Sequence, residues 1–235
     1  MSTDKQLEHF AYEEGGHIAT ITFNRPERRN GLDPEVMFEL ESLIQRVRDN
    51  TNIRVYIITG TGNAFCAGAD LAFARRPETN EGQAEAAAAM GRVPRIIGRV
   101  FDMVVGMDAI SVCAINGYAV GGGWSLALAF DHVISVPDAQ FWVPEVDIGV
   151  AFRGLANITL TERLGPNLAK EACILCRKFS AAELRDLRVI NQIVAPDELM
   201  PRARAIAEEY ASKSPKAAVP TKRDINGVIY GQRHF

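Results

Sequence analysis

Two glycine-bearing turns hold the residues best suited to chemistry in this sequence. One covers residues 65–70 (FCAGAD) and the other residues 116–123 (NGYAVGGG), and each follows an apolar run and is expected to open onto a helix. The first N–H groups of a helix have no partner inside it and point at whatever lies beyond its end. Two such turns converging on one oxygen would form an oxyanion hole, in which fixed donors stabilise a developing negative charge. The alternative for either turn alone is a tight strand-to-helix connection and nothing more.

The same glycines do not indicate a nucleotide site. Gly60 and Gly62 are not followed by the third glycine of a dinucleotide-binding fingerprint, and the lysine of a phosphate-binding loop is missing. We therefore do not expect nucleotide-phosphate chemistry at these turns.

One carboxylate is well placed in the sequence for proton transfer. Glu145 lies inside the largely apolar run FWVPEVDIGV, residues 141–150. Burial in such a run would raise the pKa of the carboxyl group into a range useful for an acid or a base. The alternative is an ordinary surface or ion-paired carboxylate. Asp147, two residues later, is either a second functional carboxylate or a side chain that faces away.

The apolar patterns predict strands and helices that alternate along the chain. Residues 17–23 alternate apolar and polar side chains, which predicts a strand of an N-terminal hairpin. Alternating elements indicate right-handed crossovers and a mainly parallel sheet of the α/β class. The polar, alanine-rich segment 77–94 is expected to be a mobile excursion, half helix and half loop. Further strands are predicted at 55–59, 111–115, 132–136 and 189–194, and helices at 33–50, after 121, at 168–176 and at 197–212.

Composition narrows the class of protein. The 235 residues are 47% hydrophobic and 23% charged, which is enough to build the core of one domain, or of one domain with a small appendage. The net charge of −3 and the lack of a long basic run argue against a nucleic-acid partner. No run approaches the ~18 apolar residues of a membrane span, so we expect a soluble cytoplasmic protein with no membrane partner. The four cysteines predict neither a disulfide scaffold nor a metal site.

Four segments together resemble the enoyl-CoA hydratase/isomerase (crotonase) superfamily, in the order and at the spacing of that family. They are ITFNRPERRNGL (21–32), NAFCAGADL (63–71), AINGYAVGGG (114–123) and AQFWVPEVDIGV (139–150), and the sequence from Leu164 to Ala195 is similar as well. The resemblance implies an α/β fold, a crotonase-like ββα spiral over residues 1–195 with a helical C-terminal region at 196–235. It also implies an acyl-CoA thioester as substrate, no separate cofactor or metal, and a homotrimer or dimer of trimers.

The resemblance also assigns residues to the site. It implies that the backbone N–H groups of Ala69 and Gly122 are the oxyanion donors. Trp142, with Trp124 and Phe152, would shape an acyl pocket or belong to the core, and the core is the favoured interpretation. Arg153 would contact a substrate carboxylate or solvent. The path of coenzyme A is implied to include Arg28, Arg29, Ala67, Gly68, Asp70 and Leu71.

The acid and base residues decide which reaction is expected. Glu145 matches one of the two glutamates of the family's hydratases, whereas Ser125 stands at the position of the other. A serine cannot be a comparable base, so it either orients a water or a substrate hydroxyl or only fills space early in a helix. Hydration of an α,β-unsaturated acyl-CoA is the expected reaction. The alternatives are a hydroxycinnamoyl-CoA hydratase-lyase, an enoyl-CoA isomerase and, from another class, a non-catalytic acyl-CoA-binding protein.

Overall fold

The chain folds into alternating strands and helices, as the sequence predicts. The structure, a computed structural model, describes residues 7–73, 79–152 and 155–231. Short 3-10 helices lie at Pro26–Arg28, Val146–Ile148 and Pro196–Glu198. The strands are β1 (Phe10–Gly15), β2 (Ile18–Phe23), β3 (Val55–Gly60), β4 (Ala64–Cys66), β5 (Ile110–Ile115), β6 (Tyr118–Val120), β7 (His132–Ser135), β8 (Gln140–Trp142), β9 (Phe179–Ser180) and β10 (Gln192–Ile193). The helices are α1 (Pro34–Asp49), α2 (Asn80–Met90), α3 (Val93–Gly106), α4 (Gly122–Ala127), α5 (Leu155–Ile174), α6 (Ala181–Asp186), α7 (Leu199–Ala211) and α8 (Pro215–Tyr230).

The strands form two sheets. The larger has the order β1-β2-β3-β5-β7-β10, with an antiparallel β1–β2 hairpin and parallel pairing from β2 onwards. The smaller has the order β4-β6-β8-β9, in which only β8 and β9 are antiparallel. Successive strand pairs β3–β4, β5–β6 and β7–β8 each send one strand to each sheet before a helix follows. This repeat is the ββα spiral, and the expected α/β fold is confirmed.

Local sequence explains the elements that frame the site. Helix α1 begins at Asp33, whose carboxylate accepts hydrogen bonds from the N–H groups of Glu35 and Val36, both at 3.0 Å, while Pro34 fits the first turn. Its apolar side chains recur at helical spacing and are buried. Strand β3 is a run of buried residues, as expected for a central strand of a parallel sheet, and helix α7 packs against it.

Several boundaries differ from the sequence predictions. The strand predicted at 189–194 is reduced to β10, and the helix predicted at 168–176 is the end of α5, which starts much earlier and bends at Gly165, where φ is 74°. Within segment 77–94, residues 77 and 78 lie outside the described residues, and the remainder is more helical than expected. Thr79 caps α2 through its side chain, and α3 starts at Val93. Helix α2 has no buried residue, so it carries no apolar periodicity for a prediction to use.

The C-terminal helix α8 is held to the larger sheet by buried polar contacts. Lys222, 6% exposed, places its ammonium group 2.7 Å from the Asp131 carboxylate and 2.8 Å from the Ala109 carbonyl oxygen. One turn later the Asn226 amide donates to the Val105 carbonyl oxygen at 2.8 Å. In the described part of the chain, no helix is both long enough and apolar enough to cross a membrane.

The buried ion pair predicts a specific stability cost. Lys222→Met should lower the free energy of unfolding by about 3 kcal/mol, because it leaves the Asp131 carboxylate without its cation in a largely buried place. Urea denaturation would measure the change. The control is Arg223→Met in the same helix, whose ion pair with Asp108 is exposed and should be worth at most about 1 kcal/mol. Equal losses for the two variants would contradict the assigned packing of α8.

Candidate active site

Three turns of the smaller sheet meet at one edge and form the site. The turns follow β4, β6 and β8, three neighbouring parallel strands, so their carboxyl ends lie side by side. Ala69 comes three residues after the end of β4, Gly122 two residues after β6, and Glu145 three residues after β8. The sheet therefore brings together three residues that the sequence separates widely.

The first turn leaves the Ala69 N–H group available. Ala69 forms a parallel bridge with Leu32, in which the Leu32 N–H donates to the Gly68 carbonyl at 2.7 Å and the Asp70 N–H donates to the Leu32 carbonyl at 2.8 Å. The residues on either side of Ala69, Gly68 and Asp70, make the hydrogen bonds to Leu32. In this parallel geometry the N–H of Ala69 itself points away from Leu32. Ala69 is exposed whereas Gly68 is buried. The Ala69 N–H group donates none of the backbone hydrogen bonds of this turn and is therefore a candidate donor to a ligand.

The second turn offers the Gly122 N–H group. Gly122 is the first residue of α4, and the first N–H groups of a helix have no acceptor inside it. The preceding N–H, that of Gly121, is already used by the Trp142 carbonyl at 2.9 Å. A Cβ atom on Gly122 would lie 3.2 Å from Ile97 Cδ1 and 3.6 Å from Leu32 Cδ1. The donor is therefore bordered by apolar side chains.

The two turns touch each other, and glycine is what permits the contact. Gly68 has a φ of +78°, and a Cβ atom there would lie 2.7 Å from the Val120 carbonyl oxygen and 3.6 Å from the Gly122 nitrogen. A side chain on Gly123 would similarly collide with Cys66, at 2.5 Å from its carbonyl oxygen. The peptide between Gly68 and Ala69 therefore lies beside the Gly122 amide, an arrangement compatible with one shared acceptor.

Glu145 brings a carboxylate to the same place. A Cβ atom on Gly121, whose φ is +50°, would collide with Glu145 Oε1, so the carboxylate lies directly against the Gly121 backbone. The turn is fixed because the Glu145 carbonyl accepts hydrogen bonds from Ile148 and Val150 at 3.2 and 2.8 Å. Asp147 is exposed on the short 3-10 helix that follows. Of the two carboxylates, only Glu145 is directed into the site.

The environment of Glu145 is electrostatically unfavourable for a carboxylate. Its Oε2 atom is buried and has no hydrogen-bond partner among the described residues. Burial raises the pKa of Glu145 above its ordinary value, and a hydrogen bond from its own backbone only partly opposes this. Burial and the nearby charge of Glu145 also raise the pKa of the Cys173 thiol to about 11, which keeps that thiol protonated. A raised pKa and an open hydrogen-bonding position suit a proton-transfer group.

Ser125 lies behind the donor turn with its hydroxyl already engaged. The residue is 2% exposed, and its Oγ atom lies 3.0 Å from the hydroxyl of Thr159 on α5. The hydrogen bond links α4 to α5. Of the two sequence interpretations, the one that makes Ser125 a structural residue is favoured by this contact.

The tryptophans lie on opposite sides of the smaller sheet. Trp124 is fully buried against Phe141 and Phe179, so the core interpretation holds for it. Trp142 is half-buried, with its ring edge-on to Tyr118 at 6.0 Å and the Lys178 ammonium 5.0 Å from the ring centre. Its ring thus packs on the partly exposed face of the sheet, not beside Trp124. Phe152 packs against the core, and Arg153 lies outside the described residues.

The residues expected along the coenzyme A path differ in their exposure and in their contacts. Arg28 is half-buried and its Nε lies 3.4 Å from the Asp70 carboxylate, whereas Arg29 is exposed and adopts a left-handed φ of 50°. Ala67 donates its N–H to the Arg29 carbonyl at 3.0 Å. Leu71 is 57% exposed. The segments holding Arg28, Arg29 and Ala67 to Leu71 therefore adjoin one another, and their positions are compatible with one ligand path.

Sequence reasoning missed several residues near the site. Ile97 and Leu32 border Gly122, and the first could not be found because α3 was not predicted. Arg25, Asp33 and Asp70 form a buried ion cluster beneath the Ala69 turn, although the sequence places Arg25 in a polar stretch.

A cavity of about 750 Å³ lies elsewhere, between α8 and the sheet, and neither Glu145 nor the glycines of the two turns line it. Among the described residues, no group of three His, Cys, Asp or Glu side chains is arranged to hold a metal ion.

The ββα spiral of two sheets is the architecture of the crotonase class of α/β proteins. The sequence model described as "Enoyl-CoA hydratase/isomerase" matches residues 13–229. A putative enoyl-CoA hydratase of Thermus thermophilus is 36% identical over 209 residues, 89% of this chain and 80% of the relative. Crotonyl-CoA hydratase of Syntrophomonas wolfei is 30% identical over 220 residues, 93% of this chain and 82% of the relative.

Solved structures agree with the sequence relatives. The crystal structure of an enoyl-CoA hydratase from Bacillus anthracis matches with a TM-score of 0.82 and 31% identity, over 95% of this chain and 84% of that one. The chain belongs to the enoyl-CoA hydratase/isomerase family, and it is an enzyme of the hydratase/isomerase type.

The buried carboxylate predicts a pH dependence of stability. Because the pKa of Glu145 is raised in the folded state, folding binds protons between the ordinary glutamate pKa of about 4.3 and the raised value. Stability therefore falls as the pH rises through this window. Glu145→Gln should be more stable than the unsubstituted protein at pH 8, and the difference should shrink towards pH 4. Urea denaturation across pH, with Asp147→Asn as the exposed control, tests this, and a difference independent of pH would contradict it.

Proposed function

We propose that the chain hydrates an α,β-unsaturated acyl-CoA and that the N–H groups of Ala69 and Gly122 stabilise the enolate oxygen of the thioester. The observation that carries the proposal is the close approach of Gly68 to the turn from Val120 to Gly122, against which the Glu145 carboxylate also lies. Fixed backbone donors contribute most where negative charge develops in a site shielded from water. The apolar border formed by Ile97 and Leu32 provides such shielding on one side of Gly122.

Glu145 carries the proton transfers in this proposal. Its carboxylate accepts a proton from water while the water oxygen bonds to C3 of the acyl group. The C2=C3 electrons move towards the carbonyl, giving an enolate whose oxygen carries the charge. Glu145 then returns the proton to C2, and the product is the 3-hydroxyacyl-CoA. The raised pKa of Glu145 supports both steps, because a carboxyl group that holds a proton more tightly is a better base and can still act as an acid.

The remaining site residues are proposed to bind and orient coenzyme A. The turn from Ala67 to Leu71 would run beside the pantetheine, because a chain without bulky side chains allows close approach to the backbone. Arg29 is exposed and suits the nucleotide phosphates better than Arg28, which is paired with Asp70. No separate cofactor is required in this proposal, since hydrogen bonds alone stabilise the enolate. A homotrimer or dimer of trimers and a cytoplasmic location remain expectations from the family.

A second candidate reaction is supported by the position of Ser125. Because a serine hydroxyl is not a strong acid or base, Glu145 is the one such group that we place in the site. A single carboxylate is enough to move a proton from C2 to C4, which would make the chain an enoyl-CoA isomerase. The hydratase-lyase alternative needs a serine that orients a polar substituent, and the contact of the Ser125 hydroxyl with Thr159 does not favour it.

A substrate panel distinguishes the candidates. The purified protein is incubated separately with crotonyl-CoA, 3-hexenoyl-CoA and feruloyl-CoA. Loss of the enoyl absorbance of crotonyl-CoA indicates hydration, formation of 2-hexenoyl-CoA from 3-hexenoyl-CoA indicates isomerisation, and release of an aldehyde from feruloyl-CoA indicates the lyase. Calorimetry with the same thioesters completes the panel, because binding without turnover of any of them would support the non-catalytic alternative.

Two substitutions test the proposed roles in the site. Glu145→Gln should lower kcat by ~10²-fold or more while binding of the thioester survives, because the amide has nearly the same shape but cannot exchange the proton. Ser125→Ala should lower kcat by less than ~10-fold, because its hydroxyl serves the contact between α4 and α5. Steady-state kinetics and calorimetry measure both. Near-normal turnover in Glu145→Gln would show that the base lies elsewhere.

A further inference from the structure

We infer that Arg25 is a positioning residue for the Ala69 donor. The inference rests on the proposed function, since it assigns a role within the same oxyanion hole. The polar contacts of the Arg25 side chain are with Asp33, Asp70 and the Gly31 carbonyl oxygen. Its effect is transmitted through two buried carboxylates, Asp33 and Asp70, that flank the bridge between Leu32 and Ala69.

The geometry of the guanidinium group joins the two sides of this bridge. Arg25 is 8% exposed, and its Nη1 lies 2.9 Å from the Asp33 carboxylate and 3.3 Å from the Gly31 carbonyl oxygen. Its Nη2 lies 3.6 Å from the Asp70 carboxylate. Asp33 directly follows Leu32, and Asp70 directly follows Ala69. One planar cation thus connects the residues next to both partners of the bridge.

Each carboxylate in turn orders the backbone around the donor. Asp33 caps α1, and Asp70 accepts the N–H of Ala72 at 3.1 Å while its own N–H donates to the Leu32 carbonyl at 2.8 Å. The space is tight, since a Cβ atom on Gly31 would lie 3.2 Å from Asp70 Cβ. Movement of the Asp70 side chain would therefore move the neighbouring Ala69 amide.

The charges explain why arginine is suited to this position. Two carboxylates buried near each other repel, and a buried charge is stable only when it is paired and hydrogen-bonded. The planar fork of arginine donates a hydrogen bond to Asp33 and at the same time lies at ion-pair distance from Asp70, whereas the lysine ammonium group is a compact point charge on a flexible stem. A lysine at this position would keep the positive charge but would not contact Asp33 and Asp70 at the same time. The position of the Ala69 amide should then relax by a fraction of an ångström, which is enough to weaken a fixed donor.

The backbone of Arg25 is held independently of its side chain. The Arg25 N–H donates to the Asn30 side-chain oxygen at 2.9 Å, and the Asn30 amide donates to the Ala64 carbonyl at 2.8 Å. Substitution of the Arg25 side chain therefore leaves this turn its own hydrogen bonds. Arg28 is a useful comparison, because it reaches Asp70 from a half-exposed position, with its Nε 3.4 Å from that carboxylate.

The experiment measures carbonyl polarisation separately from turnover. The probe is 4-(dimethylamino)cinnamoyl-CoA, whose absorption shifts to longer wavelength when its thioester carbonyl accepts hydrogen bonds. The shift is recorded for the unsubstituted protein, Arg25→Lys, Arg25→Met and Asp70→Asn, together with kcat and KM for the substrate that is turned over. Lys222→Met is the matched control, because it breaks a buried ion pair between α8 and Asp131 that involves no residue of the two turns.

We expect both Arg25 variants to lose most of the shift and to lower kcat by about 10- to 100-fold, with a smaller change in KM. Lys222→Met should lose stability and keep the full shift, and Glu145→Gln should keep it too. If either Arg25 variant is too unstable to isolate, Asp70→Asn tests the same link and should show the same loss.

Two results would overturn the inference. Both can be told apart from the result expected if the proposed function itself is wrong. If the unsubstituted protein shifts the probe and folded Arg25 variants shift it equally with unchanged kcat, Arg25 does not position the donor. Equal loss of the shift in Lys222→Met would show that general destabilisation is responsible. If the unsubstituted protein produces no shift at all, the oxyanion hole itself is wrong, and the positioning role falls with it.

Discussion

The close approach of two glycine turns is the constraint on which the rest of the site depends. Gly68 lies so near the Val120 carbonyl oxygen that a side chain on Gly68 would force the turns apart. The approach is possible because β4 and β6 are neighbouring parallel strands whose ends meet at the same edge of the smaller sheet. The short strands of the smaller sheet set the distance between the donors, and their side chains Phe65, Phe141 and Phe179 are buried in the same core as those of the larger sheet. The packing that stabilises the fold therefore also positions the site.

Buried charges are paired with a cation in the scaffold, whereas the proposed reactive carboxylate has no such pairing. Asp33 and Asp70 share a guanidinium group, so their charges are compensated and their positions are fixed. Glu145 instead has a buried oxygen without a hydrogen-bond partner in the described part of the chain, and its pKa is raised. A protein that only needed stability would gain by pairing or removing this carboxylate. The unfavourable environment is therefore evidence that Glu145 is retained for proton transfer, where water or substrate would take the open position.

The sequence predicted the larger sheet better than the smaller one, for a physical reason. Continuous β-branched runs such as 55–59 identify buried parallel strands, and a capped helix after Asp33 has a clear start. Strands β4, β6, β8 and β9 have only two or three residues, too few for any periodicity to appear. The turns were visible as glycine patterns, but their convergence came from family resemblance. The ion cluster of Arg25 with Asp33 and Asp70 could not be predicted, because no local sequence pattern indicates that residue 25 contacts residues 33 and 70.

The Ser125 contact shows how the fold limits the reaction. The Ser125 side chain is almost fully buried and its hydroxyl pairs with that of Thr159, so a carboxylate at this position would bring a buried charge. A serine fits because one hydroxyl pair satisfies it. Because Glu145 is the one carboxylate that we place in the site, it must both take up the proton and deliver it, whether the proton comes from water or from C2. Hydration and double-bond isomerisation therefore share their enolate and their proton carrier in this site, and they differ in whether a water molecule is held over C3.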